Sequence, residues 1–421
     1  MDFSFTSDQL LVRDTVRQFM ETEMRPLLRE YDRTEPFPVE QIRRLGELGC
    51  CGMLIPEEYG GTSTDTVTYA LMLEEVARVD ASTAVTLSVT NSVAPAPILR
   101  HGTEAQKKKY LPRLARGEIL GAFCLTEPGA GSDAAGIQTR AVREGDSYVI
   151  NGTKSWVTNG GFSGVYVVFA KTDPPAGGRG VTAFLVEPSF PGFRISRYED
   201  KMGLRLSRSA EIIFEDCRVP AESLLGAEGQ GLKVALGALD GGRIGIAAQS
   251  VGLAQGAFEA ATRYAKQRRA FGHPIAENQA IQWMLADMAT EIEAARALTH
   301  YAASLRDAES ARQATENRKG GVSTPPSEAI NQVGASAPEA GSFEARGRYG
   351  PQAARAKLYA SEMANRVCYR AVQVHGAVGY SRETDVERYY RDARVLTIYE
   401  GTSEMQRIII ARELLGPGRT W

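Results

Sequence analysis

The chain is poor in cysteine and has almost no excess charge. Its 421 residues include Cys50, Cys51, Cys124, Cys217 and Cys368, with no C-x-x-C pair and no histidine at metal-ligand spacing. We therefore expect reduced, mostly buried thiols and no metal site. The formal net charge of −2 argues against nucleic acid as a partner, because binding phosphate normally requires a basic excess.

Long hydrophobic runs are also missing. No apolar stretch approaches the roughly 20 residues that a membrane-spanning helix needs. Residues 1–6 carry neither the basic segment of a secretory signal nor the arginines of an organelle presequence. We expect a cytoplasmic protein without membrane insertion.

The hydrophobic pattern divides the chain into three regions. Helical periodicity continues to about residue 117 and returns from about residue 232. Between them lie short β-branched and aromatic runs, separated by turn sequences such as Asn151-Gly152. This order predicts an α+β fold, with an N-terminal helical domain at residues 1–118, a central antiparallel β domain at 119–226 and a C-terminal helical bundle at 227–421.

One segment interrupts the last helical region. Residues 320–342 hold Val322, Ile330 and Val333 as their only large aliphatic residues, among Gly, Ser, Pro and Ala. So little apolar surface cannot offset the entropy lost when a segment becomes ordered. We predict a mobile surface insertion at about residues 307–350.

The first segment with chemical interest is TEPGAGSD at residues 126–133. Its spacing of Gly129, Gly131 and Ala134 superficially matches a dinucleotide fingerprint, which requires a helix immediately afterwards. Here a strand-like sequence follows, which argues against that interpretation. A loop that brings the backbone close to a flat or phosphorylated ligand, or a plain hairpin connection, would both explain the glycines.

The second segment is residues 151–161, NGTKSWVTNGG. Trp156 and Thr158 are two residues apart, so they lie on the same side of a strand. The indole could stack on a flavin ring to which Thr158 donates a hydrogen bond. The alternative is a core tryptophan beside a surface threonine.

The third segment is residues 398–406, IYEGTSEMQ. Ser403 and Gln406 have capping-box spacing, which predicts that a helix begins here and that its first amides can hold an anionic group. Glu400 precedes that helix on a loop. It could act as a general base if desolvation raises its pKa, and it would otherwise be a solvated loop glutamate.

Together these segments make the chain similar to the acyl-CoA dehydrogenase family over nearly its whole length. Further matching stretches are KMG at 201–203, FEDCRVP at 214–220, QRRAFG at 267–272, QVHGAVGY at 373–380 and YRDAR at 390–394. The resemblance implies a C-terminal four-helix bundle, bound FAD, an acyl-CoA substrate, an electron-transferring flavoprotein as partner, and a homotetramer.

The resemblance also assigns roles to individual residues. It implies that Glu400 is the base that removes the substrate's α-proton. The contacts implied for acyl-CoA are Ser132, Asp240, Arg243 and Gly401. The residues implied to bind FAD, partly across a subunit interface, are Phe123, Leu125, Thr126, Gly131, Ser132, Trp156, Val157, Thr158, Arg268, Phe271, Gln279, Gln373, Val374, Gly376, Ala377, Thr402, Ser403 and Glu404.

One position separates branches of the family. In the isovaleryl and long-chain branches the base lies on the helix that begins near Gly231, and the corresponding residue here is Gly242. Glu400 is therefore the only candidate base at either position. Residues 88–92 and 239–247 are most similar to the short-chain members, whereas Ala377 replaces a second glycine that many members carry.

The implied reaction is the α,β-dehydrogenation of a short-chain acyl-CoA to the trans-2-enoyl-CoA. Two alternatives use the same fold or the same ligand. The chain could be an acyl-CoA oxidase or flavin monooxygenase, or a catalytically silent acyl-CoA-binding protein.

Overall fold

A computed structural model describes residues 4–319 and 349–416. Its first region is helical, as predicted, and α1 begins at Ser7 behind a capping box formed by Thr6 and Gln9. The helices are α1 (Ser7–Phe19), α2 (Leu28–Thr34), α3 (Val39–Glu47), α4 (Thr66–Val79), α5 (Ala81–Asn91), α6 (Pro95–His101) and α7 (Glu104–Ala115). Because α4 and α5 are buried on nearly every side, they form the centre around which the rest is arranged.

The middle region is an eight-stranded sheet. Its strands are β1 (Leu120–Cys124), β2 (Arg140–Glu144), β3 (Ser147–Thr158), β4 (Ser163–Lys171), β5 (Val181–Val186), β6 (Phe193–Tyr198), β7 (Ser209–Pro220) and β8 (Leu224–Leu225). They follow the order β6-β7-β3-β2-β4-β5-β8, with β1 also on β4. Most pairs are antiparallel, as predicted, but β1 and β2 run parallel to β4, so the sheet is mixed.

The last region is helical again. It contains α8 (Gly231–Gln267), the short strands β9 (Arg269–Ala270) and β10 (His273–Pro274), α9 (Gln279–Lys319), α10 (Tyr349–His375), α11 (Asp385–Ala393) and α12 (Ser403–Leu415). The predicted bounds of the insertion, residues 307–350, include helical residues. Residues 307–319 continue α9, and residues 349–350 begin α10. The remainder of that prediction falls on residues 320–348, outside the described residues.

Two further expectations concern burial. All five cysteines are buried and unpaired, as predicted, and burial raises the pKa of Cys50 and Cys51 to about 12. Within residues 4–319 and 349–416, no helix is long and apolar enough to cross a membrane.

Helix α8 packs unusually close to α4. A Cβ atom added to Gly252 would lie 2.1 Å from the carbonyl oxygen of Glu74, and one added to Gly256 would lie 2.2 Å from that of Arg78. Real Cβ atoms do not approach backbone so closely, so these two glycines allow the helices to touch. The same face of α8 carries the small buried residues Gly245 and Ala248.

We expect Gly252→Ala to destabilise the protein by about 1–3 kcal/mol, because α4 and α8 must separate to admit the methyl group. Gly237→Ala is the matched control on the same helix, since the nearest atom to its added Cβ is a flexible Arg100 nitrogen 3.8 Å away. That substitution should stabilise α8 by up to about 1 kcal/mol through helix propensity. Urea denaturation of both variants measures the difference, and equal effects would contradict the proposed packing constraint.

Candidate active site

Glu400 lies on the short loop between α11 and α12. Both Glu400 and Gly401 have left-handed backbone conformations, with φ of 54° and 90°. The helix α12 begins at Ser403, but its N-cap is Thr402, whose side chain accepts from the N–H of Met405. The predicted capping box of Ser403 and Gln406 is therefore absent, and the N-cap lies one residue before Ser403.

The side chain of Gln406 has a different task. Its Nε2 donates to the carbonyl oxygens of Glu400, at 3.3 Å, and Gly401, at 2.9 Å. Gln406 is fully buried, so these bonds are shielded from water. The first turn of α12 thus holds the loop that carries Glu400.

The carboxylate of Glu400 rests against α8 at Gly242. A Cβ atom added to Gly242 would lie 2.6 Å from Oε2 of Glu400 and 3.1 Å from its Oε1. Gly242 and Glu400, the two positions that the family resemblance gives for a base, therefore face each other in this fold. Glu400 occupies the space, and the absence of a side chain at Gly242 makes this possible.

The surroundings of Glu400 favour proton transfer. Its Oε2 is shielded from solvent and has no hydrogen-bond partner in the described part of the chain. Burial raises the pKa of Glu400 to about 7, while the positive charges of Arg243 and Lys357 oppose the rise. A carboxylate with a pKa near 7 is a stronger base than an exposed carboxylate. At neutral pH it is still ionised in about half of the molecules.

Two further residues that the resemblance assigned to acyl-CoA lie one turn apart on α8. Arg243 is 7% exposed and forms an ion pair with Asp240. Its Nε is buried without a partner among the described residues, so the guanidinium has a donor to spare. Ser132 is exposed on the glycine-rich loop.

The glycine-rich loop is anchored by a buried ion pair. Lys154 is fully buried on β3, and its Nζ donates to the carboxylate of Glu127, at 2.7 Å, and to the carbonyl of Leu125, at 3.1 Å. The Glu127 carboxylate also accepts from the backbone N–H groups of Gln138 and Thr139. Burial opposes ionisation of Glu127, but Lys154 and these donors keep its pKa below the usual range.

The free side of this loop is open. Cβ atoms added to Gly129 and Gly131 would meet no atom of residues 4–319 and 349–416 within 4 Å. The loop continues into a three-residue turn, Ala134–Gly136, and then into β2. Because no helix follows, the loop is not a dinucleotide fingerprint, in agreement with the sequence analysis.

Trp156 is not a core residue. Strand β3 bulges between Lys154 and Val157, and Trp156 has a φ of 59° with 59% of its surface exposed. Val157 is buried, whereas Thr158 is half-buried. The indole and Thr158 are therefore available to a ligand above the sheet, and the alternative of a core tryptophan is contradicted.

A third group of predicted flavin residues surrounds the far ends of α8 and α10. Arg268, Phe271 and Gln279 are exposed, Phe271 to 94%. At the end of α10, Gln373, Gly376 and Ala377 are exposed, whereas Val374 is buried. The rings of Tyr264 and His375 stack at 4.3 Å, which places the two helix ends side by side.

The residues present fit FAD. The exposed Trp156 offers a flat surface for a ring, and the open space above Gly129 and Gly131 admits a bulky ligand close to the backbone. Ser403, at the N-terminus of α12, keeps a buried Oγ with no partner in the described ranges. Beneath them, Phe123 and Thr126 are half-buried and Leu125 is buried, while Glu404 is exposed on α12.

Comparisons with known proteins agree with this arrangement. Models of the N-terminal, middle and C-terminal domains of acyl-CoA dehydrogenases match residues 6–118, residues 122–217, and residues 229–319 with 329–415. The chain belongs to the acyl-CoA dehydrogenase family. The match to the C-terminal domain is interrupted only at residues 320–328, a gap that is shorter than the predicted insertion.

Individual relatives cover the whole length. The short-chain-specific acyl-CoA dehydrogenase of Clostridium acetobutylicum is 43% identical over 98% of this chain and 100% of its own. The NADH-dependent acryloyl-CoA reductase of Anaerotignum propionicum is 42% identical over 99% and 96%.

Solved structures are equally similar. The butyryl-CoA dehydrogenase of Megasphaera elsdenii has 41% identity and a TM-score of 0.87, with 99% of this chain and 100% of the other covered. A chain from a structure concerning the electron-transferring flavoprotein of Acidaminococcus fermentans has 44% identity and a TM-score of 0.88, with the same coverage.

Several residues organise this site in ways that the sequence does not indicate. Gln406 and Lys357 both donate to the carbonyl of Gly401, and Tyr399 donates to Gln249 on α8 at 2.6 Å. The sequence does not indicate the pair of Lys154 and Glu127 either. Lysine and glutamate are almost never fully buried unless they are paired, so only the tertiary structure shows that Lys154, Glu127 and Lys357 are buried.

We expect Lys154→Met to destabilise flavin-free protein by about 3–5 kcal/mol, because Glu127 would remain buried without its cation. Adding Glu127→Gln should recover part of the loss. Lys109→Met is the control, since Lys109 is exposed, Glu187 is only partly buried, and such a pair is worth under about 1 kcal/mol. Denaturant unfolding measures all three, and equal losses for Lys154→Met and Lys109→Met would contradict the anchoring role.

Proposed function

We propose that this protein catalyses the FAD-dependent α,β-dehydrogenation of short-chain acyl-CoA thioesters to trans-2-enoyl-CoA, with Glu400 as the base. The observation that supports it most directly is the carboxylate of Glu400 against Gly242: the residue is half-buried, and its Oε2 is shielded from solvent. The family gives the reaction class, and this geometry explains how the chain supplies a base for it.

The proposed FAD site consists of three surfaces. The glycine-rich loop and β3 provide Phe123, Leu125, Thr126, Gly131, Ser132, Trp156, Val157 and Thr158. The first turn of α12 provides Thr402, Ser403 and Glu404. The residues near the ends of α8 and α10, namely Arg268, Phe271, Gln279, Gln373, Val374, Gly376 and Ala377, hold the adenine half, partly of a cofactor bound to a neighbouring subunit. The exposed ring of Phe271 is consistent with such a shared site.

In the reaction the substrate loses two hydrogens. Glu400 removes the α-proton, and bound FAD supplies the acceptor for the β-hydrogen, which leaves with its electron pair. The enolate oxygen that develops needs hydrogen-bond donors. The backbone N–H of Glu400 is one candidate, because it donates to no backbone carbonyl within residues 4–319 and 349–416. Asp240, Arg243, Gly401 and Ser132 are proposed to contact the acyl-CoA.

Electrons leave through an electron-transferring flavoprotein, and the active form is a homotetramer, as the family resemblance implies. The cytoplasmic location expected from the sequence is likewise part of the proposal. The similarity to an acryloyl-CoA reductase supports one further candidate, the reverse reaction driven by NADH. Oxidation of NADH by an enoyl-CoA, with partner flavoprotein present, would reveal it. Oxygen uptake without an added acceptor would reveal the oxidase or monooxygenase alternatives.

We expect Glu400→Gln to retain flavin and acyl-CoA binding but to lose turnover by about 10²–10⁴-fold, because the amide keeps the shape without accepting a proton. Anaerobic bleaching of the flavin by butyryl-CoA measures the step directly. Glu58→Gln, on an exposed turn, is the control and should behave like the wild type. Rapid bleaching of Glu400→Gln would show that another group is the base.

The pH dependence follows from the same carboxylate. Burial raises the pKa of Glu400 to about 7, and only the ionised form can accept a proton. The value of kcat/KM should therefore fall as the pH drops through about 7, with a slope of one proton. A plateau that extends to pH 5 would contradict the buried state of Glu400 in the free enzyme.

The preferred chain length is tested by a series of saturated acyl-CoA substrates from four to sixteen carbons. We expect kcat/KM with electron-transferring flavoprotein as acceptor to be highest for the shortest chains. Each methylene that does not fit should lower it by about 10-fold or more. The same series with oxygen as acceptor serves as the control, and a maximum at long chains would overturn the short-chain assignment.

A further inference from the structure

Lys357 is a buried cation beside the proposed base. It lies on α10, its residue surface is fully buried, and its Nζ donates to the carbonyl oxygen of Gly401 at 2.8 Å. Gly401 is the residue directly after Glu400. No carboxylate forms an ion pair with Lys357 in the described part of the chain, so its hydrogen-bond partner there is neutral.

Burying an ammonium group without a paired carboxylate is costly. Burial lowers the pKa of Lys357 to about 8, against the raising effect of Glu400. A leucine or methionine would fill the same space without that cost. The presence of a charge here therefore suggests a role that an apolar residue cannot perform.

We propose that Lys357 is a positioning residue for the proposed base: it holds the loop of Glu400 through the Gly401 carbonyl and directs its positive charge toward the carboxylate. This inference depends on the proposed function, because it assumes that Glu400 is the base. The bond to Gly401 helps to fix the left-handed backbone of Glu400 and Gly401. Without Lys357, only Gln406 would donate to the carbonyls of these two residues in the described part of the chain.

The charged and titratable groups around Glu400 come from several elements. Arg243 approaches from α8 and Lys357 from α10, and both lower its pKa. Tyr399 from the same loop and Tyr69 from α4 also sense the charge of Glu400. The charge of Arg243 is shared with Asp240 in an ion pair. For Lys357 itself, the charge of Arg243 lowers its pKa, whereas those of Glu362 and Glu404 raise it.

The test is Lys357→Met in the FAD-loaded enzyme. We expect exchange of the substrate's α-hydrogen with solvent deuterium to slow by about 10–100-fold, with flavin content and KM changed little, because the base is displaced slightly from its working position. Lys201→Met is the matched control. Lys201 also has a lowered pKa, of about 8 because of burial, and donates to a carbonyl, that of Ser207, which is not a residue of the proposed site.

The pH profile distinguishes positioning from simple damage. Loss of the Lys357 cation leaves Glu400 with less stabilisation of its ionised form, so the acid limb of kcat/KM should move to higher pH. A loosened site would admit water around Glu400, lower its pKa and move the limb to lower pH. Lys357→Arg, which keeps the charge, should leave the limb near its wild-type position. Gln406→Met, which removes a neutral donor to the same carbonyl, should slow exchange without the upward shift.

Each outcome has a distinct meaning. If Glu400→Gln exchanges the α-hydrogen at the wild-type rate, the proposed base is wrong and the role of Lys357 fails with it. If Glu400→Gln is inactive but Lys357→Met matches Lys201→Met in rate and pH profile, only the inference about Lys357 is overturned. The same conclusion follows if the acid limb of Lys357→Met moves to lower pH, or if Lys357→Arg moves it upward as far as Lys357→Met does.

Discussion

The contact between the Glu400 carboxylate and the bare backbone of α8 at Gly242 constrains the rest of the site. A Cβ atom at that point would lie 2.6 Å from Oε2 of Glu400, so the carboxylate needs a glycine opposite it. The contact also requires that α8 pass directly under the loop between α11 and α12. The close approach of α8 to α4, which Gly252 and Gly256 permit, helps to fix α8 in that path.

Much of this organisation was accessible from the sequence. Strand and helix regions follow from local hydrophobic periodicity, and Glu400 stood out because it precedes a helix in a distinctive motif. The parallel pairing of β1 with β4 could not be predicted, because it joins segments separated by the whole of β2 and β3. The cap of α12 was misplaced by one residue because Thr402 and Ser403 are both good N-cap residues, and sequence spacing alone favoured the second.

Buried charge was the main feature that local pattern did not reveal. Lys154 and Lys357 are both completely enclosed, yet each appears in a stretch whose composition also suits a surface lysine. Their partners, Glu127 and the carbonyl of Gly401, lie 27 and 44 residues away along the chain. Contacts between residues far apart in the chain decide whether a charge is solvated. Such contacts cannot be predicted from a single sequence.

Burial and ion pairing have opposite effects on the pKa of Glu400, and the two must be balanced if Glu400 is to act as a base. Burial alone would raise its pKa so far that the carboxyl would be protonated at neutral pH and could not accept a proton. Strong ion pairing alone would make the carboxylate a weak base, because its charged form would be too stable. In this chain Arg243 shares its charge with Asp240, and Lys357 binds a neutral carbonyl, so neither cation pairs fully with Glu400. Because both stay at a distance from an unpartnered Oε2, the base remains ionised and reactive in the same pH range.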